Sequence, residues 1–288
     1  MALSILLNNY RRLRNGWWVA IFFLVLALFL FTVIMLSKYL KFEISILHQS
    51  LIIIATSLIC QLLRSQPLSD LFGVFNFRFA KELFIGALTG MVLMITPALF
   101  LFVFSGITWQ QSTVGLLPLL SATMLFVGVA VAEEVLFRGF IFQRLIDGLG
   151  EWPAQLIIGG LFLLTHIGNP GMTGSIMVFA SINIFLASLM FGLAFLRTKS
   201  LAMPIGFHFM ANWAQGVLLG FGVSGMEQAS ILKPIFNGAP DWLTGGSFGL
   251  EASIPGMISI IITTFFLYRW RPAADKNNLI NFKPVSVG

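Results

Sequence analysis

The chain has 288 residues, of which 58% are hydrophobic and only 10% charged, against roughly 25% charged in an ordinary soluble domain. That balance excludes a water-soluble globular domain and a disordered chain, and it points to a membrane protein. The net charge of +6 requires no nucleic-acid partner, because Lys and Arg gathered in loops on one side of a bilayer give the same excess.

The first apolar run, 17–36, carries no charge and follows Arg11, Arg12 and Arg14. A signal peptide has the same basic start, but this run is long for one and lacks a small-x-small cleavage pattern before Ser37, so it reads as a retained span. Further runs of about the 17 to 25 residues that cross a bilayer follow at 44–63, 83–106, 114–132 with a helical extension, 152–167, 172–196, 200–221 and 254–268. The fifth and eighth are short. Trp17, Trp18, Trp109, Trp152, Tyr268 and Trp270 stand at the ends of these runs, where interfacial aromatic anchors sit. The longest connections, 64–82 and 222–253, leave no room for a soluble domain. The expectation is an all-α membrane protein of about eight transmembrane helices, with 1–288 forming a single integral membrane domain.

With eight spans, 14 Lys and Arg fall on the side that holds both termini, and three, Lys38, Lys41 and Lys233, on the other. The positive-inside rule then places both termini in the cytoplasm. The single cysteine, Cys60, excludes an intramolecular disulfide and a multi-cysteine metal site.

The stretch AEEVLFRGF, 132–140, sets Glu133, Glu134 and Arg138 where hydrocarbon is expected, and unpaired charge there costs several kcal/mol or more. His166 and His208 also fall within apolar runs, whereas His48 reads as a polar residue near the outer interface. Counting about 1.5 Å per helical residue from the cytoplasmic boundary puts Glu133 roughly 16 Å deep, His166 roughly 21 Å and His208 roughly 14 Å. All three approach the middle of a core about 30 Å thick. Residues four apart share a helix face, so Glu134 pairs with Arg138, His208 with Asn212, and Phe162 lies on the stripe of His166. Glu133 and Glu134 point about 100° apart. One division gives Glu134 to Arg138 as structure and leaves Glu133 to the cavity; the spacing admits the reverse.

A carboxylate in a low-dielectric site suits a general base acting on water. A histidine beside it can hold that water or a metal, and a second histidine with an amide can bind the oxyanion formed at a carbonyl. Glu133, His166 and His208 would also serve as zinc ligands. The set suffices for peptide hydrolysis without a serine or cysteine nucleophile.

Glu133-Glu134-x-x-x-Arg138, Phe162-x-x-x-His166 and His208-x-x-x-Asn212 resemble, in order and separation, the three motifs of the CPBP intramembrane protease family. That family includes the CAAX prenyl endopeptidase and the bacteriocin-processing or Abi proteins. The motifs lie within about 120–220. The resemblance implies an eight-helix endopeptidase in which Glu133 and His166 activate water and His208 and Asn212 complete the centre. It leaves open a Zn2+ metalloprotease or a metal-free, glutamate-dependent one. It further implies a membrane-associated peptide or protein substrate, while the apolar runs require contact with the lipid bilayer, the loop charges call for no nucleic acid, and compactness with no organelle signal fits a bacterial plasma (inner) membrane. Two other functions use the same residues: a proton- or ion-coupled transporter relaying through Glu133, His166 and His208, and a non-catalytic immunity or scaffold protein. The glycine-rich stretch LTGGSFGLEAS, 243–253, suggests no chemistry.

Overall fold

Long apolar runs form helices here, even across Pro97, because only an intrahelical ladder satisfies every backbone group away from water. The computed structural model describes residues 5–8 and 10–270. Arg271, Lys276 and Lys283, and both chain ends whose cytoplasmic placement the charge count predicts, lie outside the described residues.

Helices α1 (Asn15–Leu40), α2 (Ile46–Leu63), α3 (Ser69–Phe72) and α4 (Phe77–Ser105) precede a strand, β1 (Thr108–Gln111). Then come α5 (Leu116–Glu134), a π-helical turn at Val135–Phe140, α6 (Ile141–Leu149), α7 (Glu151–Leu164), α8 (Gly174–Thr198) and α9 (Ala202–Trp213), which runs into a second π turn at Ala214–Leu218. A strand β2 (Leu232–Ile235), a short α10 (Asp241–Thr244), a 3-10 turn at Leu250–Ala252 and α11 (Ile254–Arg269) complete the described chain. Among the described residues, five stretches are long and apolar enough to cross a membrane: Asn15–Leu40, Ile46–Leu63, Ser69–Ser105, Leu116–Leu149 and Gly174–Thr198. Glu151–Leu164 and Ile254–Arg269 are shorter apolar helices, in keeping with the short fifth and eighth runs. This is a multi-pass membrane protein.

Three local features depart from the expected spans. The fifth expected span, α7, ends at Leu164, with Thr165 as its C-cap, so His166 sits in the following turn and not inside a helix. The π turn after Glu134 contains Gly139 at φ −76° and ψ −124°, a kink within the fourth span. And β1 pairs antiparallel with β2, Thr108 opposite Ile235 and Gln111 opposite Leu232, a small sheet in a chain read as all-α. Their sequences, TWQQ and LKPI, are too short for a periodic signal.

The closest helix crossing joins α4 to α9. A Cβ added at Gly86 would lie 2.2 Å from the Met203 carbonyl oxygen, one at Gly90 2.2 Å from that of Phe207, and one at Gly206 2.1 Å from that of Leu83. Only glycine permits this approach, the small-residue packing that holds helices together where lipid offers no hydrophobic drive. It fixes α9, and with it His208, against α4. His48 is used locally: its Nδ1 accepts from the Ser45 backbone N–H at 3.1 Å, capping the start of α2.

Candidate active site

The end of α5, the turn after α7, the middle of α8 and the middle of α9 surround one cavity of about 280 Å³, closed on another side by the 219–253 segment. Glu133, Phe162, His166, His208 and Asn212 all line it. Glu134 and Arg138 stand behind this wall, each with a fully buried side chain.

The support layer is built around Arg138. Its Nη1 donates to Glu134 Oε1 at 3.3 Å, and its Nη2 donates to the Ser188 carbonyl at 3.0 Å and to the Ser188 hydroxyl at 2.8 Å. The guanidinium lies 4.9 Å from the Phe162 ring and 5.4 Å from the Phe191 ring, distances at which a cation is attracted to an aromatic face. Ser188, on α8, therefore ties α5 to α8 through Arg138.

Glu134 does more than neutralise Arg138. The same Oε1 accepts from His208 Nδ1 at 2.8 Å. Because a carboxylate only accepts, Nδ1 carries a proton, and when the ring is neutral Nε2 is left bare toward the cavity. The ring is stacked on Phe191, with centroids 4.9 Å apart and planes 11° from parallel. His208 thus bonds Glu134 rather than Asn212, the partner its spacing suggests; Asn212 contributes its amide to the cavity wall independently.

His166 is oriented in the same manner from another direction. Its Nδ1 lies 2.7 Å from the Phe162 carbonyl oxygen, which fixes the proton on Nδ1 and leaves Nε2 as an acceptor. Phe162 is 4.6 Å from the His166 ring and 6.5 Å from that of His208, so this one side chain touches Arg138 and both imidazoles. The early end of α7 makes the arrangement possible, since the turn lets the His166 ring fold back on the last carbonyls of its own helix.

Glu133 is the carboxylate left over. Its Oε2 is buried without a hydrogen-bond partner and lies 3.8 Å from His208 Nε2, too far for a direct hydrogen bond and within reach of an intervening water. Among the described residues no group of three His, Cys, Asp or Glu side chains is placed to hold a metal ion.

The structure adds residues that sequence spacing does not single out. Glu251, in the glycine-rich 243–253 stretch, lines the cavity; its Oε1 accepts from the Ser224 backbone N–H and, at 3.0 Å, from the Ser224 hydroxyl. Burial raises the Glu251 carboxyl above its ordinary value, while the Ser224 donors and the nearby His166 and His208 oppose that shift. Asn183, on α8, is wholly buried and lines the same cavity. Polar residues inside an apolar span are the signal by which Asn183 and Ser188 are detectable; Glu251 lies outside any span and gives none.

Residues 115–214 match the family model of the type II CAAX prenyl endopeptidase Rce1-like proteins. The matched stretch opens just before α5, closes just after α9, and contains Glu133, Glu134, Arg138, Phe162, His166, His208 and Asn212. No curated protein matches the chain.

Proposed function

From the match of residues 115–214 to the family model of the type II CAAX prenyl endopeptidase Rce1-like proteins, we propose that this protein is an intramembrane endopeptidase that hydrolyses a peptide bond of a membrane-associated peptide or protein. One observation carries the reading furthest: the unpartnered Glu133 Oε2 faces the bare His208 Nε2 across 3.8 Å on the wall of a cavity that His166 and Asn212 also line.

In the proposed reaction a water sits between Glu133 and the two imidazoles. Glu133 removes one of its protons while His166 Nε2 accepts a hydrogen bond from the other. The water oxygen bonds to the scissile carbonyl carbon, and the carbonyl electron pair moves onto oxygen. The Asn212 amide donates to that oxyanion, and His208 shares the proton gained by Glu133, its positive charge balanced by Glu134 as in a carboxylate–histidine couple. When the C–N bond breaks, the proton passes to the departing nitrogen, and water has been divided between a new carboxyl group, which keeps its OH, and a new amine, which takes its other hydrogen. Glu134, Arg138, Ser188 and Phe162 position the rings and touch no reacting atom. No step is drawn through a metal.

The same reading has eight crossings, both termini in the cytoplasm and the whole chain as one membrane-embedded unit, supported by the 14-to-3 division of basic residues. A bacterial plasma membrane is the proposed location.

The test is purified protein in lipid nanodiscs with a pool of membrane-inserted peptides, products read by mass spectrometry. Wild type is expected to release internal fragments and Glu133→Gln to lose at least about a hundredfold of that rate. Undiminished cleavage by Glu133→Gln refutes the scheme.

A further inference from the structure

Glu251 is the acidic side chain of the cavity that the hydrolytic scheme leaves unused. Both donors it receives, the backbone N–H and the hydroxyl of Ser224, go to Oε1, so the carboxylate is held in one orientation with Oε2 open. A second acceptor stands on the facing helix. Asn183 donates through Nδ2 to the Ser253 carbonyl at 3.1 Å, and its Oδ1 is buried without any partner although the residue is wholly buried and lines the cavity.

An orphaned buried acceptor carries a cost that a bound donor removes. Here two acceptors share a cavity whose lining includes no Lys or Arg. A free carboxylate would find no cation on these walls, and an apolar group would leave both acceptors unmet. An ammonium or guanidinium group supplies donors and charge together.

We propose that Glu251, fixed by Ser224, and Asn183 form a specificity subsite that receives a cationic group of the substrate, either a Lys or Arg side chain near the scissile bond or a free amino terminus. The inference rests on the peptidase reading for the identity of the ligand as a peptide, and on the cavity alone for its charge. The glycine-rich segment then has a purpose. Gly249 at φ 105° packs where a Cβ would meet the Gly222 carbonyl oxygen at 1.9 Å, and this fold brings Glu251 against Ser224.

The test separates binding from cleavage by using Glu133→Gln protein in nanodiscs of zwitterionic lipid. The probes are amide-capped apolar nonapeptides that differ at one position, Lys, Arg, norleucine or Glu, each made with a free or an acetylated amino terminus. Retained peptide is quantified by mass spectrometry. Peptides with at least one cationic group are expected to be retained tenfold or more over the acetylated norleucine peptide, and the acetylated Glu peptide no better than it. Acetylated Lys peptides and free norleucine peptides report which source of cation is preferred. The added substitution Glu251→Gln, which keeps an acceptor for Ser224, is expected to abolish the preference. Equal retention of acetylated Lys, free-terminus and acetylated norleucine peptides overturns the proposal without any protein variant, as does a preference that survives in folded Glu251→Gln protein. Cation preference without cleavage by wild type removes the peptidase reading and leaves the subsite; cleavage without cation preference does the opposite.

Discussion

Replacing Glu134 with Gln should destabilise this protein far more than replacing its neighbour Glu133, although both changes erase one negative charge. The Glu134 and Arg138 side chains are both fully buried, and Glu134 Oε1 serves Arg138 and His208 together. Removing one partner of a buried ion pair costs about 3–5 kcal/mol, because the remaining charge is left uncompensated. Gln keeps one acceptor oxygen, so the lower end, about 3 kcal/mol, is expected. Glu133 Oε2 has no hydrogen bond to lose and only a 3.8 Å approach to His208 Nε2, and Glu133→Gln should change stability by less than about 1 kcal/mol. At about 2–4 °C per kcal/mol for a chain of this size class, melting temperatures should differ by roughly 4–12 °C. The assay is thermal unfolding in one detergent at one scan rate, since membrane-protein melts are commonly irreversible and depend on rate. Equal losses for the two variants, or a larger loss for Glu133→Gln, would refute the assignment of Glu134 to support and Glu133 to the cavity. A second check is the pair Glu134→Gln with Arg138→Met, which removes both charges and should recover part of the loss.

Other outcomes follow from the same geometry. Glu133→Ala and His166→Ala should each abolish peptide cleavage while melting near wild type; retention of wild-type cleavage by either variant rejects the mechanism. Metal analysis of the purified protein beside activity with and without chelator divides the two chemistries: a water-only centre predicts unchanged turnover after chelation, and loss restored by Zn2+ favours the metalloprotease. Gly90→Val should impair folding severely, since its first added carbon meets the Phe207 carbonyl oxygen at 2.2 Å, and wild-type yield and melting would show that α4 and α9 do not approach so closely. Because burial raises the folded-state pKa of Glu251 above 4.5, its contribution favours folding below that value and is lost as pH rises through the folded pKa. Glu251→Gln should therefore flatten this part of a plot of melting temperature against pH, and parallel curves for the two proteins would contradict the shift.

The site was largely legible in sequence because buried charge in an apolar chain is conspicuous. Glu133, Glu134 and Arg138 stand out by cost alone, and the four-residue spacings correctly paired Glu134 with Arg138 and Phe162 with His166. Spacing failed where a contact crosses between helices. Nothing within α9 reveals that His208 turns to Glu134, 74 residues earlier, and nothing in α8 says that Ser188 receives Arg138. Helix ends were legible only to within a few residues, which is why His166 was expected inside a span. Glu251 was invisible for a different reason: loop residues acquire their meaning from a chain path set by many weak contacts, and here that path is fixed by glycines pressed against carbonyls.

The π turn at Val135–Phe140 separates two parts of one continuous helical stretch, Leu116–Leu149. A π turn holds one residue more than an α turn, so deleting a single residue there would restore ordinary winding at almost no backbone cost. It would leave α6 almost where it is, beside α1 and α7, because the wide turn already takes up the extra residue, but a residue lost before Arg138 would set that side chain three positions past Glu134 instead of four. This helix can change its side chains, but between Glu134 and Phe140 its residue count is part of the site's geometry.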